Sequence, residues 1–156
     1  MTPAVTAARK AGIPFELHRY EHDARAQSYG LEAAEALGLA PEQVFKTLMA
    51  VVDGQTLSVA IVPVEKRLDL KALAALGGGR KAAMCDPARA EKATGYVVGG
   101  ISPLGQRKAH PTFLDESALG FATIHVSAGR RGLEIELSPD DLLALCRGKA
   151  GPIATA

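Results

Sequence analysis

Apolar and polar positions alternate through FELHRY, residues 15–20, the period-two pattern of a half-buried strand. Ahead of it, Thr2-Pro3, the run AVTAARKA and then Gly12 carry the cap, first-turn proline and terminal glycine of a short helix. LEAAEAL before Gly38 predicts a second helix from about residue 30 to 37. VFKTLMAVV and LSVAIVP, both nearly continuous apolar runs, face each other across Asp53-Gly54 and predict a β-hairpin. Asp69 before LKALAAL and Asp86-Pro87 before ARAEKA predict two short helices closed by Gly77 and Gly95, flanking the strand-like KAAMC. Further on, ATIHVS and GLEIEL read as paired strands around residues 128–131. Ser138-Pro139-Asp140-Asp141 caps a last helix stopped by Gly148, and GPIATA reads as a frayed tail. Strands and helices are interspersed without a regular βαβ rhythm, so the expected fold is a mixed α+β domain, taken as one unit over residues 1–156.

Composition narrows what such a domain does. A chain of 156 residues fits one core and buries roughly 68–70% of its unfolded surface. Eighteen Lys plus Arg balance seventeen Asp plus Glu to a formal charge of +1, which argues against nucleic-acid binding by bulk charge; any such contact is local. Cys85 and Cys146 form no Cys-x-x-Cys pattern and read as small buried hydrophobes in a reducing compartment. The N-terminus lacks a signal-peptide core, and no run approaches the roughly 20 apolar residues of a membrane span. The expectation is a cytoplasmic protein without membrane association.

Candidate chemistry is sparse. Lys46 is the one charge in a strand that is apolar on both faces, so its ammonium either enters a cavity or snorkels out at the strand's edge. His18 and His22 are four apart, which on a helix would suggest a metal pair; on a strand that spacing separates them by about 13 Å, and no metal is expected. His110 and His125 are lone histidines in a loop and a strand. There is no G-x-S-x-G elbow, no GxxxxGK[ST] and no HExxH. An enzyme with no nucleophile works by positioning and electrostatics. The segment YVVGGISPLGQRK carries the glycine pair Gly99-Gly100, which either forms a turn or lets backbone amides approach a ligand.

TPAV at the start, HRYEHD, the FKTL around Lys46, TGY with VVGGISPLGQRK, and ATIHVSAGRRGLEIEL together resemble the YbaK-type Cys-tRNA(Pro) deacylases, a free-standing branch of the editing-domain superfamily that also supplies the inserted domain of bacterial prolyl-tRNA synthetases. The resemblance runs from Thr2 to about Leu145. It implies a single α/β domain with a mixed, partly barrel-like sheet flanked by helices, and no cofactor. It places the functional lysine at Lys46, the functional tyrosine at Tyr20 and the amide-bearing glycines at Gly99 and Gly100. Substrate contacts are implied at Tyr29, Thr47, Ile101, Ser102, Ser127, Arg131 and Glu134. Three departures stand out: the turn reads VSAG where the family has VSGG, Glu134 stands where Asp is usual, and Tyr29 stands where Phe is usual.

By this resemblance the substrate is an aminoacyl-tRNA 3′ end. Lys46 and Tyr20 fix the terminal ribose and phosphate, the glycine amides stabilise charge on the ester oxygen, and the substrate's own cysteine thiol attacks its ester. A modest basic rim of Arg107, Lys108, Arg130 and Arg131 would hold the acceptor end, with prolyl-tRNA synthetase as partner. Two other readings stay open: hydrolysis of Ala-tRNA(Pro) by water, and a non-catalytic module that binds tRNA ends or a synthetase.

Overall fold

The computed structural model describes residues 1–22 and 29–156. Helix α1 (Pro3–Ala11) starts where Thr2 Oγ1 accepts the Val5 amide at 3.2 Å and ends at Gly12, whose φ of 70° is the left-handed conformation glycine favours. It buries Ala4, Val5 and Ala8. Strand β1 (Glu16–Arg19) and helix α2 (Tyr29–Leu37) follow. Strands β2 (Phe45–Val52) and β3 (Thr56–Pro63) pair antiparallel along their whole length, from Phe45↔Pro63 to Val52↔Thr56. Their turn has positive φ at both Asp53 and Gly54, the type I′ geometry that matches strand twist.

After β4 (Arg67–Leu68) come α3 (Leu70–Leu76), β5 (Ala82–Met84) and α4 (Pro87–Thr94). Both helices are capped as expected, by the carboxylates of Asp69 and Asp86. The chain continues through β6 (Thr112–Asp115), β7 (Ile124–Arg130), β8 (Leu133–Leu137), α5 (Pro139–Cys146), β9 (Lys149–Gly151) and β10 (Ala154–Thr155).

Among the described residues three sheets form, ordered β5-β2-β3-β6-β9, β1-β8-β7 and β10-β4. The five-stranded sheet is mixed: β3, β6 and β9 run parallel, the rest antiparallel. Its two faces are both covered. Phe45, Met49, Val59 and Ile61 pack toward Ile124, Val126 and Ile135 of the three-stranded sheet and toward α1. Ala50, Ala60 and Val62, of opposite parity, pack with Leu73, Phe113 and Ile153. Two buried faces explain why β2 and β3 read as unbroken apolar runs.

The mixed α/β class matches expectation; of the partly barrel-like sheet, no closed barrel is found among the described residues, where a single isolated bridge, Val44↔His125, links the two larger sheets. Nor is the C-terminal segment frayed. Ile153 is fully buried, and Asp115 Oδ1 accepts the amides of Ile153 and Ala154 at 3.1 and 3.0 Å. The reversal between β7 and β8 also falls later than residues 128–131 suggested. A register shift between Ser127 and Arg130 lets β7 run to Arg130, so the chain turns at Arg131-Gly132.

Candidate active site

The start of β2, the end of β1, the α2 N-terminus, the β7–β8 pair and the 98–101 loop enclose a cavity of about 280 Å³. Its wall is mainly apolar, with Phe45, Met49, Ala90 and Val98 prominent. Polar groups enter from Tyr20, Lys46, Thr47, Ser127 and Glu134. Seven of the sequence-derived site residues line it directly besides Lys46: Tyr20, Tyr29, Thr47, Gly99, Ile101, Ser127 and Glu134. Gly100, Ser102 and Arg131 stand behind the wall.

Lys46 is half-buried, and desolvation, assisted by the like charge of Arg67, lowers its pKa. It forms no ion pair among the described residues. Gly30 is why α2 fits beside it: a Cβ there would sit 2.3 Å from Val64 Cγ1. Glu134 is only 6% exposed, and desolvation pushes its carboxyl up to about 8, so near neutral pH it is mostly a neutral acid able to donate. Ser127 lies directly across from it in register. Thr47 Oγ1 is buried with no hydrogen-bond partner among the described residues. Burial raises the Tyr20 phenol as well, keeping it a donor.

Arg131 organises the opposite wall. Its guanidinium lies 3.9 Å from the Tyr29 ring centroid, and Nη2 donates to the Tyr29 hydroxyl at 2.8 Å and the Val98 carbonyl at 3.0 Å. Nη1 approaches His22 Nε2 at 3.4 Å, and His22 Nδ1 meets Glu32 at 2.8 Å. Here the glycine pair finds its explanation. A Cβ on Gly99, whose φ is +93°, would lie 2.4 Å from Arg131 Nε and 2.8 Å from the Tyr29 ring; one on Gly100 would lie 2.7 Å from Arg130 Cα. The pair therefore admits the protein's own β7–β8 turn. The Gly100 amide donates to the Val97 carbonyl at 2.9 Å, closing a turn. The amides of Gly99 and Ile101 make no hydrogen bond among the described residues. Ser102 Oγ is spent accepting the Leu104 amide.

Cys85 lines the cavity, which composition alone did not suggest. Burial raises its thiol, and Sγ donates to the Asp86 carbonyl at 3.3 Å, so it is not an activated nucleophile. Cys146 is pushed up to about 12 and donates to Pro103.

A partly open, mainly apolar cavity thus brings together a lysine without an ion pair and amides without a hydrogen bond among the described residues, and a buried carboxyl. The aminoacyl-tRNA editing domain family matches residues 26–145, and the chain belongs to that family. An Enterococcus faecalis protein provisionally named the Cys-tRNA(Pro)/Cys-tRNA(Cys) deacylase EbsC is 43% identical over 122 residues, 78% of this chain and 74% of that protein. A crystal structure provisionally described as a trans-editing enzyme for prolyl-tRNA synthetase superposes with a TM-score of 0.86 at 25% identity, covering 99% of this chain and 96% of the other. A hypothetical protein gives 0.88 at 21% identity, covering 99% and 100%, a likeness of fold. Among the described residues no helix is long and apolar enough to cross a membrane.

Proposed function

We propose that the protein removes cysteine from mischarged Cys-tRNA(Pro), with Cys-tRNA(Cys) as a further substrate, by substrate-thiol attack on the ester. The observation that carries the reading is the pairing of a small, mainly apolar cavity with a half-buried lysine that has no ion pair, and no activated nucleophile in the wall, among the described residues. The EbsC likeness supports the cysteine substrate.

Lys46 and the Tyr20 phenol hold the terminal ribose and phosphate. The free amides of Gly99 and Ile101 are the donors for charge developing on the ester oxygen. Gly100, its own amide already used, sets the turn that presents them. Thr47, Ser127 and the neutral Glu134 offer hydrogen bonds to the aminoacyl group, with Ser102 and Arg131 supporting from behind. The thiol sulfur attacks the ester carbon, its proton passes to the departing ribose oxygen, and a cyclic thioester leaves; no atom of the protein is consumed. Helix α1, β1 and the C-terminal strands share the cores of the 26–145 segment, which supports residues 1–156 as one editing domain. It works in the cytoplasm beside prolyl-tRNA synthetase, with exposed Arg130, Arg107 and Lys108 toward the acceptor stem.

Incubating the purified protein with Cys-, Ala- and Ser-charged tRNA(Pro) tests this. Fast loss of the Cys ester alone is expected, because a hydroxyl is a far weaker nucleophile than a thiol carrying a few per cent of thiolate near neutral pH. Equal loss of the Ala ester means an activated water. Stability of all three esters means a binding module.

A further inference from the structure

Beyond the cavity, the three-stranded sheet gathers side chains that sequence spacing kept apart. His18 of β1, His125 of β7 and Glu136 of β8 each offer a ligand atom within 4.8 Å of the others. His18 Nε2 and Glu136 Oε1 are 2.8 Å apart. The His18 and His125 rings lie 5.2 Å apart, centroid to centroid. His125 stands directly across from Glu136 in register. His18 finds its partners across the sheet; His22, which the strand spacing sets apart from it, is bonded to Glu32.

We propose that His18, His125 and Glu136 form a binding site for a divalent transition-metal ion, zinc by preference, with one coordination position left to water. Two imidazoles and a carboxylate are a donor set that suits zinc. Bonds of about 2.0–2.2 Å in a tetrahedral site place ligand atoms roughly 3.3 Å apart, a separation bracketed by the 2.8 Å contact and the 4.8 Å span. Closing around an ion takes small rotations of side chains already on one face.

Three further observations point the same way. His125 is 2% exposed, and its Nδ1 is buried with no hydrogen-bond partner among the described residues, a polar group otherwise left at a cost. The Thr123 hydroxyl donates to Glu136 Oε2, and Gln43 Nε2 holds the Thr123 carbonyl at 2.8 Å, the outer support that orients a ligating carboxylate. His18 and Glu136 keep part of their surface in solvent, so an ion has a way in, and the exposed Glu16 carboxylate 4.0 Å from His18 adds negative potential at that entrance.

The test uses Cys85→Ser protein, which removes the half-buried cavity thiol as a rival zinc ligand, and titrates zinc chloride by calorimetry. One zinc per chain is expected, with affinity weakened at least about tenfold in both His18→Ala and Glu136→Gln. Circular dichroism checks that each variant stays folded. Cobalt(II) added to the Cys85→Ser protein gives a second readout that needs no ligand variant: visible bands of a four- or five-coordinate ion are expected, without a thiolate charge-transfer band. Absence of stoichiometric zinc binding, an affinity unchanged by either replacement, or the weak spectrum of hydrated six-coordinate cobalt overturns the site. Lys46→Ala protein should bind zinc as the parent does, whatever becomes of its deacylase activity.

Discussion

Lys46 meets a cavity on one side and Arg67's field on the other, so its charge is disfavoured until an anionic ligand arrives. Replacing it with Ala should lower deacylation by about 10²–10³-fold, the usual loss when one preorganised electrostatic partner is removed. The unfolding midpoint should hold or rise, since desolvation of the ammonium is relieved. Parallel turnover and urea-denaturation measurements separate the two effects. Glu134 gives a prediction of opposite kind. Its folded pKa of about 8 lies above the ordinary 4.5, so the folded state holds a proton that the unfolded chain releases. Its contribution is intact below about 4.5 and is lost as pH rises through about 8. Glu134→Gln should flatten that decline, by on the order of a few kcal/mol across the window, in chemical denaturation at pH 5 and pH 9. The alternation LEIEL predicts a solvent-facing carboxylate here; only the β1–β8–β7 pairing, which depends on distant residues, reveals that this face closes a cavity.

At the scale of elements, caps and turns were the most legible features, because their signals are local: Thr2, Asp69, Asp86 and Ser138 all cap where they were expected to. Strand β6 and the tail strands carry no such local signal. Their segments are short, and their partners lie far away in sequence or on the parallel side of β3. The glycine pair was legible as a close approach but not as to what approaches. That distinction is testable. Since a Gly100 Cβ would press on the Arg130 backbone, Gly100→Ala should destabilise the domain by about 1–3 kcal/mol, with activity lost through a displaced 98–101 loop. Gly12→Ala, with open space around it, should cost only its left-handed strain. Thermal melts of the two proteins give the comparison.

For the molecule as a whole, the C-terminal residues hold two sheets together: β9 extends the five-stranded sheet, β10 covers β4, and Ile153 fills the core under α3. Ile153→Ala should therefore cost about 2–5 kcal/mol, read from denaturant unfolding, with zinc and substrate affinities changed little where the fold survives. The pairing of β1 has a different consequence, in the order of synthesis. Its partner β8 lies some 118 residues downstream, and chains emerge at about 5–20 residues per second. For several seconds on the ribosome, then, β1 has an open edge on both sides, and Tyr20 has no Glu134 to face. Until β8 joins it, the wall that Tyr20 and Glu134 give the cavity is incomplete. The sequence of that waiting strand, Glu16-Leu17-His18-Arg19, carries charge at both ends, which discourages neighbouring nascent chains on a polysome from pairing with it.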